Sequence, residues 1–208
     1  MYQSISTPYA QSKSYAFKRM FDFLIAGTFV CTLFPIIYLI IGTIIKLTSD
    51  GPIFFCQKRT GLMGKEFMCL KFRTMTVNDT ADTQQARKHD PRITRFGSLL
   101  RRTSLDELPQ FINVLLGDMS IVGPRPHMVS QNDHFACIIP QYTDRLLVKP
   151  GITGLAQVSG HRGETPQISQ MAQRVRLDVW YIQHMNFKLD LFIFLRTFLV
   201  FGDFKKHK

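Results

Sequence analysis

Cysteine is scarce in this 208-residue chain, and what there is lies scattered. Cys31, Cys56, Cys69 and Cys137 form no CxxC pair. That excludes the framework of a small disulfide-bonded domain and structural metal held through sulfur, and it makes a reducing compartment the default. Zinc-finger spacing, an RNP-type aromatic motif and a basic zipper are all missing, which argues against nucleic acid as the partner. His89, His127, His134, His161 and His184 show no metal-ligand spacing and are assigned to surface or local packing. No serine-nucleophile motif, internal repeat or low-complexity segment is present. Acidic residues are also in short supply, 15 against 26 Lys and Arg, for a net charge of +11. A solvated basic face would account for this, and so would polyanionic company: phosphorylated ligands or an anionic membrane surface.

Charge is missing altogether from Phe23 to Ile45. About 20 apolar residues suffice to span a bilayer as a helix. A cleaved signal peptide fits poorly, because the run is too long and no small-residue cleavage site follows it. Pro35 sits mid-run, where it removes a helix hydrogen bond and favours a kink. Basic residues flank both ends: Lys18 and Arg19 before, Lys46, Lys58 and Arg59 after. A spanning helix usually biases Lys and Arg to one side. From these residues a spanning helix, a re-entrant helix broken near Pro35 and a buried core helix are all open. A second apolar stretch, Leu189 to Phe201, is short for a span and contains Asp190 and Arg196. It suits an interfacial helix, with Lys205, Lys206 and Lys208 near headgroups, or a helix packed in the core. Trp180 and Tyr181 fit headgroup depth or the core equally.

What is present between these ends is a polar, motif-dense region. The expected organisation is a polar tail over 1–14, a membrane helix over 15–48 and a globular domain over 49–208. "GPIFFCQKRTG" and "KEFMCLKFRTM" read as two short strands joined by the turn Gly61–Gly64. "VNDTADTQQARKHDPRIT" reads as a loop with a weak helix. Leu108, Phe111, Ile112, Leu115 and Leu116 fall at i, i+3, i+4, i+7 and i+8 and predict a helix over 106–116 with one apolar face. Gly117 closes it, and Pro109 is tolerated in its first turn. The fold class expected is α/β and helix-rich: a membrane-entering helix, a small strand region, several helices and interfacial amphipathic helices at the C-terminal end.

Asp106 and Glu107 open that helix. Ser104-Leu105-Asp106-Glu107 is a capping-box pattern, and acidic residues favour a helix N-terminus. The cap alone explains the pair. The surroundings offer a second reading: Arg92, Arg95, Arg101 and Arg102 lie upstream, Arg125 downstream, and Lys71 and Arg73 in KFRTM. Such a cluster suits phosphate groups. An ionised Asp106 among these cations is a competent nucleophile toward an activated phosphoryl group. Glu107 projects about 100° away on a helix and suits Mg²⁺, which bridges carboxylates and phosphates.

KFRTM (71–75), RRTSLDELPQFINVLLGDMSIVGPRP (101–126), KPGITGLAQVSG (149–160) and the Phe-Lys-Arg-Met-Phe-Asp start of the apolar segment closely resemble bacterial sugar transferases. These are the monotopic polyprenyl-phosphate phosphoglycosyl transferases that begin capsule, exopolysaccharide and O-antigen synthesis. The resemblance covers about residues 15 to 204. It implies transfer of a sugar-1-phosphate from a UDP-sugar to undecaprenyl phosphate with release of UMP, at the cytoplasmic face of the bacterial plasma membrane. It implies Asp106 as the residue that carries the phosphosugar, Glu107 as a Mg²⁺ ligand, and Arg101 and Arg125 near phosphate. Lys71, Arg73, Arg102 and the Pro150–Gly154 loop follow as weaker assignments. The implied partners are the two substrates and membrane lipids, not nucleic acid; a homodimer stays open.

The resemblance also implies a re-entrant helix broken at Pro35, although some members place Ser before that proline where Phe34 stands here. Many members carry further N-terminal membrane helices and another domain, which fits either a short member or the catalytic part of a longer one. Arg162-Gly163-Glu164-Thr165 resembles a stretch of members that load glucose-1-phosphate. Arg162, Glu164 and Thr165 are therefore expected to meet sugar hydroxyls, with a plain surface turn as the alternative, and UDP-glucose is the expected donor.

Overall fold

The computed structural model describes residues 13–77, 90–163 and 167–202. The tail expected over 1–14 (all but its last two residues), His89, Glu164, Thr165 and the lysines at 205, 206 and 208 lie outside the described residues.

A long helix, α1 (Lys13–Thr48), leads into an antiparallel hairpin of β1 (Phe54–Thr60) and β2 (Glu66–Phe72). The Gly-rich connection is a single 3₁₀ turn, Leu62–Gly64. The hairpin matches the sequence expectation. Its alternation buries Phe67 and Cys69 and carries Lys71 along the same strand face. Next come α2 (Arg95–Thr103), a 3₁₀ turn at Leu105–Glu107 and α3 (Gln110–Leu116). β3 (Ser120–Val122) then pairs in parallel with β4 (Gly151–Thr153), with α4 (Val129–Ile138) and a 3₁₀ turn at Tyr142–Leu147 between them. The short α5 (Leu155–Val158), α6 (Ile168–His184) and α7 (Phe187–Gly202) complete the chain.

The helix predicted over 106–116 starts later than expected. Ser104 adopts the left-handed conformation, φ +59°, and makes no side-chain cap, so the capping box does not form. The chain turns once as a 3₁₀ helix through Asp106 and Glu107 before Pro109 opens α3. Pro109 explains the delay, because it has no N–H to continue an α-helical ladder from the preceding turn. Gly117 ends α3 at φ +92°, as expected. The apolar stripe divides: Phe111 and Leu115 pack with one cluster, Leu108 and Ile112 with another, and Leu116 is exposed.

α1 runs unbroken through Pro35 rather than ending there. A proline removes one ladder bond, and the turns on both sides are held by packing. Phe29 lies 4.4 Å from Phe111, and Phe34, in the place where serine was noted, stacks 6.1 Å from Phe72. Ala26 joins the cluster around β3 and α7, whereas Ile41 and Ile45 join the one around Phe72 and Leu100. Both ends of α1 are also tied by polar contacts. Lys18 Nζ donates to Val122 O at 2.8 Å and to Asp190 Oδ2 at 2.9 Å, and Tyr181 donates to the other Asp190 oxygen at 2.6 Å. At the far end Arg73 Nη2 donates to Ser49 O at 2.8 Å.

The opposite side of α1 is bare: Leu24, Ile36, Leu39, Ile40 and Leu47 are all more than half exposed. It is the one helix among the described residues long and apolar enough to cross a membrane. α7 divides likewise, with Asp190 and Ile193 buried against the domain and Leu195, Phe198 and Leu199 exposed. Trp180 is half-exposed and Tyr181 is core.

Asp190 neutralises a lysine that is itself buried. Asp190→Ala is expected to cost about 3–5 kcal/mol, because it leaves Lys18 charged without a partner. Thermal unfolding in detergent measures this. Replacing Lys18 and Asp190 together by Met and Leu is expected to recover most of the loss.

Candidate active site

Two adjacent carboxylates are delivered to the end of β2 by one side chain. Asn113 in α3 accepts from Leu70 N at 2.9 Å and donates to Met68 O at 2.8 Å, completing the strand's free edge as another strand would. This fixes α3, and hence the turn before it, beside Lys71. Ser104, left-handed, then aims both Asp106 and Glu107 inward, and each is only 7% exposed.

The two acids are treated differently. Glu107 Oε1 accepts from Lys71 Nζ at 2.7 Å and from Arg125 Nη2 at 2.5 Å, while Oε2 accepts from Arg125 Nη1 at 3.1 Å. This is a bidentate guanidinium–carboxylate pair with an added ammonium. Burial by itself would raise the Glu107 pKa, but Arg125 and Lys71 outweigh it and hold the carboxyl well below its usual range. Asp106, by contrast, makes no hydrogen bond among the described residues. Burial pushes its pKa up, opposed by Lys71, reinforced by Glu107 and opposed again by Arg101 and Arg125, and the outcome is about 6. At neutral pH it is mostly ionised, unpaired and more basic than an ordinary carboxylate.

The remaining expected residues separate by position. Arg101 reaches Thr74 Oγ1 at 2.8 Å and senses Asp106 electrostatically. Arg162 donates to Ser104 Oγ and lies within electrostatic reach of Glu107 and Asp106, so it joins the cluster through the side chain that precedes the turn. Arg73 does not join: it is turned toward Ser49 and Asp50 at the end of α1. Arg102 is exposed, Arg95 is exposed at the start of α2, and Arg92 pairs with Asp90 at 2.7 Å. The 150–154 segment is not a loop at the carboxylates. It is mostly β4, and it holds the Gly123-Pro124 bend through Gly123 N to Thr153 O and Gly151 N to Pro124 O, both 2.9 Å. Gly123 and Gly151 approach so closely that a Cβ on either would strike the other's backbone.

Several residues escaped the sequence reading. Arg59 donates to Pro126 O at 3.1 Å, and Arg145 donates to Arg125 O at 2.8 Å, so the Arg125 loop is gripped on two successive carbonyls. His127 is fully inside, its Nδ1 2.6 Å from Tyr142 Oη and 2.9 Å from Arg145 Nη1. Burial, then Arg145 and Arg174, hold its pKa well below the ordinary value, so it is neutral. The one signal available for these residues was their charge, and charge does not tell an inward side chain from an outward one.

Mg²⁺ takes oxygen ligands, commonly one or two carboxylates together with substrate phosphates. Glu107 Oε2, with its single longer contact, and the unpaired Asp106 carboxylate are donors of that kind on one turn. Among the described residues there is no group of three or more His, Cys, Asp or Glu that would hold a metal by itself. The protein's share of such a site is therefore small, and the phosphates of a bound donor would have to complete it.

The family model described as Bacterial sugar transferase matches residues 13–203. The chain is 50% identical over 182 residues to a UDP-glucose:undecaprenyl-phosphate glucose-1-phosphate transferase of Xanthomonas campestris, covering 86% of this chain and 37% of that protein. It is 47% identical to a protein of the same name from Caulobacter vibrioides, covering 86% of this chain and 67% of that one. To a UDP-N-acetylgalactosamine-undecaprenyl-phosphate N-acetylgalactosaminephosphotransferase of Aeromonas hydrophila it is 40% identical, covering 89% of this chain and 44% of the relative. The chain thus spans well under half of two of these three relatives.

The Asp106 carboxylate has a stability consequence with a definite sign. Its folded-state pKa of about 6 lies above the ordinary 3.8, so between those values the folded form holds a proton that the unfolded form has released. Stability from this group is present at low pH and is lost as pH rises through 6. Asp106→Asn is therefore expected to stabilise the protein at pH 7–8 by roughly 1–3 kcal/mol. The gain should vanish below about pH 4, as followed by thermal unfolding in Mg²⁺-free buffer.

Proposed function

Because the chain belongs to the bacterial sugar transferase family, we propose that it moves a hexose-1-phosphate from a UDP-sugar to undecaprenyl phosphate, with Asp106 as the covalent carrier. The observation that supports this most is the asymmetry of the dyad: a pinned Glu107 beside an unpaired, ionised Asp106. A scaffold has no use for a buried carboxylate left without a partner, which makes a non-catalytic role the poorer reading.

The donor's diphosphate enters beside Arg125, Lys71 and Arg101. Lys71 and Arg125 are already oriented by Glu107, so little rearrangement is needed as they meet phosphate oxygens. An Asp106 oxygen attacks the sugar-bearing phosphorus. The bond from that phosphorus to the bridging oxygen breaks, and UMP leaves with that oxygen. An oxygen of undecaprenyl phosphate then attacks the same phosphorus, the bond to Asp106 breaks, and the carboxylate is regenerated. Nothing is oxidised or reduced in either step. Mg²⁺, held by Glu107 with the donor's phosphates, would supply positive charge for the diphosphate. The lowered desolvated environment that raises the pKa of Asp106 also strengthens it as a nucleophile.

The lipid acceptor requires the site to sit at a membrane surface. The bare apolar faces of α1 and α7 supply a docking surface of the kind a water-exposed protein avoids. Both ends of α1 contact one globular domain, through Lys18 at one end and Ser49 at the other. That favours a helix whose bare face rests in one leaflet, with both ends on the cytoplasmic side, over one that crosses. UDP-glucose is the proposed donor, by likeness to the relatives from Xanthomonas and Caulobacter that carry it in their names.

Purified protein given UDP-glucose, Mg²⁺ and undecaprenyl phosphate is expected to release UMP, faster than with UDP-galactose or UDP-N-acetylgalactosamine. Asp106→Asn should lower the rate by at least about 10³-fold while membrane binding persists. Incubation with donor alone should add one hexose phosphate to the peptide containing Asp106, detected by mass; an unmodified peptide removes Asp106 as carrier. The rate is expected to fall as pH drops through about 6, as Asp106 becomes protonated.

A further inference from the structure

Helix α6 contributes nothing to the dyad directly, yet two of its charged side chains point into the interior. Arg174 and Asp178 are four residues apart on one helix face and are 4% and 2% exposed. Arg174 donates from Nε to His161 O at 3.2 Å and from Nη2 to Gly163 O at 2.9 Å. Those two carbonyls bracket Arg162, whose guanidinium holds Ser104, the left-handed residue that turns the chain into Asp106 and Glu107. Asp178 accepts from Arg145 Nε at 2.8 Å, and Arg145 donates onward to Arg125 O at 2.8 Å. Arg125 in turn grips Glu107. Two lines of contact leave one face of α6, and each ends on an arginine that touches the catalytic turn.

A buried charged pair seldom stabilises a fold more than apolar residues of the same size would. Asp178 forms such a pair with Arg145, and Arg174 is a buried cation bonded to backbone carbonyls, so neither is well explained by stability alone. Their bonds go to backbone carbonyls and to a guanidinium, and they fix where the arginines at the site begin. Burial brings the Arg174 pKa down, to about 10, still far enough above neutrality for it to remain a cation.

We propose that α6 positions the site's arginines by two separate branches: Arg174 sets Arg162 on the catalytic turn, and Asp178, through Arg145, sets Arg125 on Glu107. Both are positioning residues, and neither touches substrate. The proposal rests on the phosphoglycosyl transfer above for its kinetic readout, and it has a second readout that does not need that activity.

The kinetic test measures kcat/KM for UMP release by the full chain in detergent. Arg162→Ala, Arg174→Ala and Asp178→Asn are compared singly and in pairs. Each single change is expected to lower kcat/KM about 10- to 100-fold through misplacement of a binding group. Arg174→Ala added to Arg162→Ala should cost less than about 2-fold more, because one branch is already cut, whereas Asp178→Asn added to Arg162→Ala should multiply the losses. Multiplying losses within the Arg162–Arg174 branch would overturn the assignment. Should Arg174→Ala fail to fold, Arg174→Lys takes its place, since one ammonium cannot reproduce the two-carbonyl fork; wild-type kcat/KM in Arg174→Lys overturns the proposal.

Amide hydrogen exchange supplies the independent readout. Arg174→Lys is expected to speed exchange at residues 104–107 and 161–163 while α3 and β3 stay protected. Unchanged exchange there overturns the positioning role. If the wild-type protein releases no UMP, the transferase reading fails by itself, and the exchange result still decides the positioning one.

Discussion

One carboxylate with three cationic contacts organises this molecule. Glu107 takes Lys71 from the hairpin and both terminal nitrogens of Arg125 from the bend after β3. Those elements are 36 and 18 residues away in the chain, in opposite directions. Pairing and hydrogen bonding offset the cost of burying a charge. Glu107 gains this by drawing the two cations to one point, and Asp106, one residue earlier, is left without a partner and with a raised pKa instead. A pinned carboxylate and an unpartnered one are thus two outcomes of a single pairing pattern.

The shells around it repeat the device of a buried guanidinium on a backbone carbonyl. Arg59 and Arg145 hold successive carbonyls of the Arg125 loop, and Arg174 holds two on either side of Arg162. Arg73 does the same for the chain leaving α1. An arginine has five donors in a planar fork and no acceptor, so it suits loops whose carbonyls have no strand or helix to bond to. The large positive charge of the chain is partly consumed in this way. Lys71, Arg101 and Arg125 are the cations of this framework that act on the carboxylate turn.

The two apolar helices are built on the same terms. α1 and α7 each bury one face against the domain and leave the other apolar and bare, and the Lys18–Asp190 pair joins the two helices beneath β3. The two helices are consequently joined to each other, and α3, which follows the carboxylate turn, packs on α1 through Phe111.

Local chemistry was legible without coordinates. The uncharged run of α1, the hairpin around Gly61 and Gly64, the stop at Gly117 and the dyad itself each depend on neighbours within a few residues, and sequence spacing reports those. What spacing could not tell was how far Pro109 would displace the start of α3, because Ser104-Leu105-Asp106-Glu107 also satisfies the pattern of a cap. Nor could it rank the cations: Arg73, Arg102 and Arg125 look alike as residues, and only the packed chain sends the first to α1, the second to solvent and the third to Glu107. The Lys18–Asp190 pair joins positions 172 residues apart, and the Asp178–Arg145–Arg125 line crosses three separate elements. Such contacts are decided by which burial of charge the whole fold can compensate, and that quantity exists only once the chain has closed on itself.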